Sequence, residues 1–327
     1  MACILAASVF MDSPRYTVIL PMSRFRADEP VLASLQEIRP STGDLQILVV
    51  EGQHPARQRN SALDLARGTI LLFLDNDCSL DSGYWAELEA AFARPGVEIV
   101  GGPALLRSSA TGWEKIFHAL LTHVLIVGTV SDRYASRGEF RPATQTNLIL
   151  CNLAVLRSVF DKVGPLSTGL YPNEENEWLD RAQTQGVHAY HDPRLIVFRP
   201  QRTTPREMAL TLLRYGMGRT RQFRVSGWRL TFHQFLPVML VGTLAALVYW
   251  RLESEFVILW LMVSAIIALT CDSGLSGAQR IVAGLIAPLI PLTYAVGQVA
   301  GWIAMLRPGR ESPAAIVVRN ERGEQLS

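Results

Sequence analysis

The chain has 327 residues, 49% hydrophobic and 18% charged, with a formal net charge of +2. That length exceeds the usual single domain and predicts two parts, and so small a net charge argues against non-specific nucleic-acid binding. Four cysteines, Cys3, Cys78, Cys151 and Cys271, lie far apart without a CxxC pair, which fits reduced thiols better than a disulfide frame or a zinc site.

Met1 to Met11 is apolar but lacks the basic start of a signal peptide, and reads as an extension or edge strand. Tyr16 to Pro21 is a first strand, Glu29 to Ile38 has helical spacing, and Gln46 to Val50 is a second strand ended by Glu51-Gly52. Arg57 to Ala66 reads as a helix stopped by Gly68 as its left-handed C′ residue. Ile70-Leu71-Leu72-Phe73-Leu74 is then five apolar residues in a row, a buried strand of a parallel sheet, followed at once by Asp75-Asn76-Asp77. This β-α-β-α-β order predicts a doubly wound sheet with right-handed crossovers. It brings Glu51 and Asp75/Asp77 to one sheet edge, where open α/β sheets bind ligands. Carboxylates there must be solvated, hydrogen-bonded or bound to a cation. A nucleotide site is the natural expectation, with one acid on base or ribose and the other on a metal. The plainer alternative is a turn leading to a capped helix at Tyr84 to Leu88. Neither G-x-G-x-x-G after the first strand nor GxxxxGK[ST] occurs, so a diphosphate would need a divalent ion and arginines as counter-charge.

Ile116 to Val130 is apolar but too short to span a membrane, and reads as a buried or interfacial helix, either plain core or a flap beside the ligand groove. Asn147 to Ala154 is expected as a strand and Val155 to Val163 as a helix ended by Gly164. Glu174, Glu175 and Glu177 crowd the start of the next helix. They form either a charge cluster favoured by the helix dipole or a site where crowding raises at least one pKa, as a proton acceptor requires. His188 and His191 read as surface or packing residues. Nine arginines and one acid fall between Arg194 and Arg229. In a helix opened by Pro205, Arg206, Arg214, Arg221 and Arg224 form a stripe about 80° wide opposite Met208, Leu212, Tyr215 and Phe223. That pattern predicts an amphipathic helix on an anionic membrane surface. Phe232 to Trp250 and Phe256 to Cys271 are candidate spans. Ala278 to Leu306, broken by Pro288 and Pro291, suits a re-entrant or steeply tilted segment that returns the arginine-bearing tail to the cytosol. The tail from Glu311 is expected to be disordered. The parts are thus a domain over 1–200, an arginine-rich interface helix over 201–230, membrane segments over 231–306 and a tail over 307–327.

Arg59-Asn60-Ser61-Ala62, then Leu65-Ala66-Arg67-Gly68 and Ile70 through Asp77, resemble the corresponding run of family-2 glycosyltransferases of the GT-A type. The likeness extends from Tyr16 to about Pro200, with several motifs in order. It implies a GT-A-like mixed, Rossmann-like sheet and a membrane-anchored enzyme. Glu51 would contact the nucleobase, Asp75 would lie near the ribose and metal, Asp77 would hold Mg²⁺ or Mn²⁺ on the diphosphate, and Arg59 would help fix base and phosphate. Glu175 would be the base toward the acceptor hydroxyl, with Glu174 its neighbouring acid. Arg202, Arg219 and Arg221 would be candidates to grip the diphosphate. The sequence departs from the family at Glu175, longer than the usual Asp, at Glu51, a single acid where many members have two, and at Arg199, near the place of a frequent His. The resemblance implies a nucleotide-sugar donor, with UDP first, and a lipid-linked or polysaccharide acceptor, with a polysaccharide assembly complex as possible company. It places the chain as a multi-pass inner-membrane protein with a cytoplasmic catalytic domain. A processive synthase and an inactive scaffold stay open, the former disfavoured by few spans and no Q-x-x-R-W motif.

Overall fold

A computed structural model describes residues 14–41, 45–226, 239, 242–243, 246, 249–250, 253–271, 274–305 and 316–326. Cys3, the Met1–Met11 segment and most of the candidate span Phe232 to Trp250 lie outside the described residues. The first half runs β1 (Tyr16–Met22), α1 (Pro30–Glu37), β2 (Leu45–Glu51), α2 (Pro55–Leu63), β3 (Ile70–Leu74), β4 (Ser79–Leu80), α3 (Tyr84–Phe92), β5 (Ile99–Gly101) and β6 (Ala104–Leu106). It continues through α4 (Gly112–Leu121), α5 (Val124–Val127), β7 (Arg141–Pro142), β8 (Asn152–Leu156), α6 (Arg157–Val163), α7 (Glu174–Thr184), β9 (Ala189–His191) and β10 (Val197–Arg199). The helices α8 (Pro205–Val225), α9 (Glu253–Thr270), α10 (Gly277–Ile286) and α11 (Leu289–Ala304) precede a last strand, β11 (Val317–Arg319).

Eight strands form one sheet in the order β11-β2-β1-β3-β8-β5-β9-β7, and β4-β10-β6 form a second, small one. The strands β2, β1 and β3 are parallel, whereas β8 runs antiparallel to both β3 and β5, so the sheet is mixed. Alternation along β1 explains why both faces are buried. Val18 and Leu20 face a core shared with Val31 and Leu35 of α1 and Tyr84 and Leu88 of α3. Ile19 faces the opposite core, with Phe160 of α6 and Trp178 and Leu179 of α7. A third cluster joins α4 to the C-terminal helices, with Ile116, Phe117 and Leu120 against Met208, Leu212, Ile267, Ala283 and Ile290. Of the stretch expected over Ile116 to Val130, only the part within α4 is a core helix; α5 beyond it buries none of its residues, with Val124 and Leu125 exposed.

Several expectations are corrected. Gly68 is no helix cap, because α2 already ends at Leu63. Its lack of a side chain is needed where the chain passes β1, since a Cβ would lie 2.5 Å from the Thr17 amide nitrogen. The strand expected from Asn147 begins only at Asn152. The Asn147 side chain accepts from the Thr144 N–H (2.9 Å) and donates to Asp132 (2.7 Å), a local turn that competes with a ladder. The arginine stripe of α8 is exposed as expected and Met208, Leu212 and Phe223 are buried. Protein covers that apolar face, however, through α11 and the third cluster, and Tyr215 stays 38% exposed. The tail is not disordered throughout: Val317–Arg319 pairs antiparallel with β2. Among the described residues only Gly277–Ala304 is long and apolar enough to cross a membrane, and Ser254–Thr270 is a shorter apolar helix; a multi-pass arrangement is not supported.

Candidate active site

The strand β3 ends in the fully buried Leu74, and the turn after it exposes Asp75 and Asp77 at the carboxyl edge of the parallel strands. That turn is tied down by its own backbone: the Asp75 carbonyl accepts from the Cys78 N–H (3.3 Å) and the Asn76 carbonyl from the Val31 N–H (3.5 Å). The strand β2 leaves the sheet at the same edge, with Glu51 paired to Met22 of β1. The fold thus brings Glu51, Asp75 and Asp77 to one side.

Arginines and acids alternate across this edge. Arg59 of α2, with 6% of its side chain exposed, bonds Asp75 Oδ1 (3.1 Å) and Glu174 Oε1 (3.2 Å). Arg199 bonds Asp75 Oδ2 (3.3 Å) and Asp77 Oδ2 (3.1 Å). It gets there because β10 pairs with β4, the strand immediately after the aspartate turn, with Phe198 opposite Ser79. Buried thiols lie beneath: burial pushes Cys151 up to about 12 and raises Cys78 well above an ordinary thiol, so both stay protonated.

The acids opening α7 are separated by their partners. Glu174 turns inward to Arg59, Glu177 bonds Arg181 one helical turn on (2.9 Å), and Glu175 lies 4.0 Å from Arg133. Burial, then the charge of Glu175, raises Glu174 to about 7 even against Arg59, as crowding of these acids led one to expect. The helix starts from Asn173 in a left-handed backbone (φ 96°), a conformation Asn tolerates. The Asn173 side-chain carbonyl accepts from Asn176 Nδ2 (3.0 Å), which fixes the turn that presents Glu174 and Glu175.

Asp75 already has both oxygens on guanidinium groups. Asp77 does not: Oδ1 is buried with no hydrogen-bond partner. No group of three His, Cys, Asp or Glu side chains suited to a metal occurs among the described residues. The donor set therefore fits a cation held by one protein carboxylate, Asp77, and completed by phosphate oxygens and water, as Mg²⁺ sites commonly are. Asp75 fits a second-ligand role less well while Arg59 and Arg199 hold it.

The remaining expected arginines lie on α8 and just before it. Arg219 is buried on α8 among Gln145 (3.1 Å), Gln222 (3.0 Å) and the Tyr294 hydroxyl (3.4 Å). Arg221 lies on the exposed stripe of α8. Arg202 is exposed, within electrostatic reach of Tyr215, which also feels Glu175 and Arg199. His188 is exposed, and His191 is buried with Nε2 3.0 Å from the Asp132 carbonyl. Arg133 and Tyr215 had no signal in the sequence as site residues, and Arg199 stood out only as a substitution for His.

This carboxyl-edge site on a mixed sheet, with an acid cluster brought in from a later helix, defines a GT-A type fold. The solved mannosyltransferase PcManGT from Pyrobaculum calidifontis, in complex with GDP-Man and Mn²⁺, shares that fold at a TM-score of 0.52 and 17% identity, over 90% of this chain and 88% of that one. Residues 29–164 match the model of glycosyl transferase family 2. The glycosyltransferase AglE of Haloferax volcanii is 25% identical over 144 residues, 44% of this chain; the match spans 43% of that relative.

Proposed function

We propose that the protein transfers a sugar from a nucleoside diphosphate sugar to an acceptor hydroxyl by direct displacement with inversion. The observation that carries this reading is the alternating row Glu174–Arg59–Asp75–Arg199–Asp77 at the sheet's carboxyl edge, ending in the unpartnered Asp77 Oδ1. Such a row sets two guanidinium groups against three carboxylates, so a diphosphate would draw its counter-charge from a cation, to which Asp77 offers one open carboxylate oxygen. A divalent ion on Asp77, when bound, supplies charge neutralisation to the departing diphosphate. Glu175 serves as the base rather than Glu174, because Glu174 is turned inward on Arg59 while Glu175 keeps 14% of its side chain exposed. The Glu175 carboxylate takes the acceptor's O–H proton, the acceptor oxygen bonds the anomeric carbon, and the bond from that carbon to the diphosphate oxygen breaks.

The ligands of PcManGT favour a nucleoside diphosphate sugar with a divalent ion and leave the base open between UDP, the first expectation, and GDP. The exposed apolar face of α9, with Ile258, Leu261, Met262 and Leu269 each more than half exposed, suits a lipid surface and hence a membrane-associated acceptor.

Purified protein given a panel of UDP-, GDP- and dTDP-sugars with Mn²⁺ is expected to turn over one of them. Asp77→Ala and Glu175→Gln should each lower kcat/KM by roughly 10²-fold or more. Long products would point to a processive synthase. Absence of both turnover and nucleotide binding would point to an inactive scaffold and end the enzyme reading.

A further inference from the structure

Glu51 is held by a segment far outside the family-matched residues 29–164. The chain's last described stretch returns to the catalytic domain, where Val317, Val318 and Arg319 pair with Glu51, Val50 and Val49. Val318 is buried in the core beneath α2, which is enough to seat the strand. Arg319 does more than packing requires. Its Nε donates to Glu51 Oε2 at 2.7 Å, and its Nη1 donates to the carbonyl of Gly323 (2.9 Å) in the turn that follows. Gly323 has φ +83°, and a Cβ there would lie 2.8 Å from the Phe25 ring. The Phe25 backbone N–H in turn donates to the other oxygen, Glu51 Oε1. Two segments, one after β1 and one from the C-terminus, therefore grip both oxygens of a single carboxylate.

We propose that Arg319 is a positioning residue of the donor site: the C-terminal strand fixes Glu51 to accept N–H groups of the donor's nucleobase and so sets which nucleoside diphosphate binds. The inference rests on the nucleoside diphosphate sugar reading above. Glu has one more rotatable bond than Asp, and an acceptor free to swing cannot discriminate the N–H patterns of different bases. A carboxylate offers about four lone-pair positions. Using two of them internally fixes the directions of the rest. The Phe25 N–H first, then Arg319, also hold the Glu51 pKa below the usual glutamate range, which keeps the group an acceptor.

The test measures binding of UDP, GDP, CDP, dTDP and inorganic pyrophosphate to the full chain with Mn²⁺ by calorimetry, beside steady-state kinetics. Arg319→Gln should weaken the preferred nucleoside diphosphate about tenfold, the loss of one charge-assisted hydrogen bond. Pyrophosphate binding should not change, KM for the donor should rise, and kcat should stay within about twofold. Arg319→Lys should recover part of the loss, and R319Q/E51Q should bind no more weakly than E51Q alone. If R319Q loses its thermal transition, Gly323→Ala, which strains the turn that anchors Nη1, should give the same nucleoside-selective loss. Unchanged nucleotide affinity in R319Q would make the strand merely structural, tighter binding would make it a cover over the site, and an equal loss of pyrophosphate would mean general damage; each overturns the proposal. Wild-type protein that binds pyrophosphate but no nucleoside diphosphate would instead remove the donor assignment itself.

Discussion

Glu174 is buried at 3% exposure beside a second acid, and it sits near 7 because burial, then Glu175, opposes its charge more than Arg59 favours it. The folded protein consequently binds a proton that the unfolded chain, titrating near 4.5, has already lost. The contribution is fully present below pH 4.5 and is lost as the pH rises through about 7, by about 3 kcal/mol for a shift of this size. Thermal unfolding followed from pH 5 to pH 8 should therefore show a falling midpoint, by about 4 °C across that range for a chain of this length. Glu174→Gln, neutral at every pH, should flatten the slope. A wild-type midpoint that is level or rising over that range would show that Arg59 wins and that Glu174 is ionised throughout. The same proton decides how much negative charge Glu174 sets against Arg59 and Asp75.

At the scale of elements, α8 and α11 approach so closely that their backbones touch. A Cβ on Gly216 would lie 2.1 Å from the Tyr294 carbonyl oxygen, and one on Gly297 would lie 2.3 Å from that of Leu213. The Thr220 hydroxyl donates across the same seam to the Gln298 carbonyl at 2.9 Å. Through this seam α11 fixes Arg219, whose guanidinium links α8 to Gln145 beside Arg133 and α7. Gly216→Ala should thus destabilise the protein by about 1–3 kcal/mol, as overpacking does, whereas Gly277→Ala, with open space around the added Cβ, should be near neutral. Denaturant unfolding of the two variants in one detergent checks the contrast, and equal midpoints would mean that the helices separate freely. The sequence made part of this architecture legible. The strands β1, β2 and β3 are contiguous apolar runs ended by polar residues, and that pattern needs no tertiary context to be read. The acids Glu51, Asp75 and Asp77 follow because they terminate those runs. The seam does not announce itself, since Gly216 and Gly297 look like any helical glycines until the partner helix is known. Arg199 and Arg319 lie 122 and 268 residues from the acids they bond, and two- or three-residue strands such as β4 and β11 are set by the neighbours they meet rather than by their own sequence.

For the whole molecule, the most consequential contact is again β11 on β2, because it fixes where the chain must be after its apolar helices. The helix α8 packs against the catalytic domain before those helices, and Val318 is buried in the same domain after them. Any lipid-embedded segment between residues 226 and 316 must then leave and return on one side, by a re-entrant path or an even number of crossings. The Gly277–Ala304 stretch suits the former: it is interrupted between α10 and α11 near Pro288, and part of it is covered by α8 and α9 rather than left for lipid. This arrangement also satisfies the arginines Arg319 and Arg322, which a single crossing would carry away from the side of the catalytic domain. Single cysteines placed at Gln185, exposed on the catalytic domain, and at Gln325, exposed on the tail, are expected to react alike with a membrane-impermeant maleimide in sealed vesicles. Both should label when the domain's face is outward and both should be protected when it is inward. Labelling of one without the other would put the tail across the bilayer, would unseat β11 from β2 in the membrane, and would leave Glu51 without its arginine.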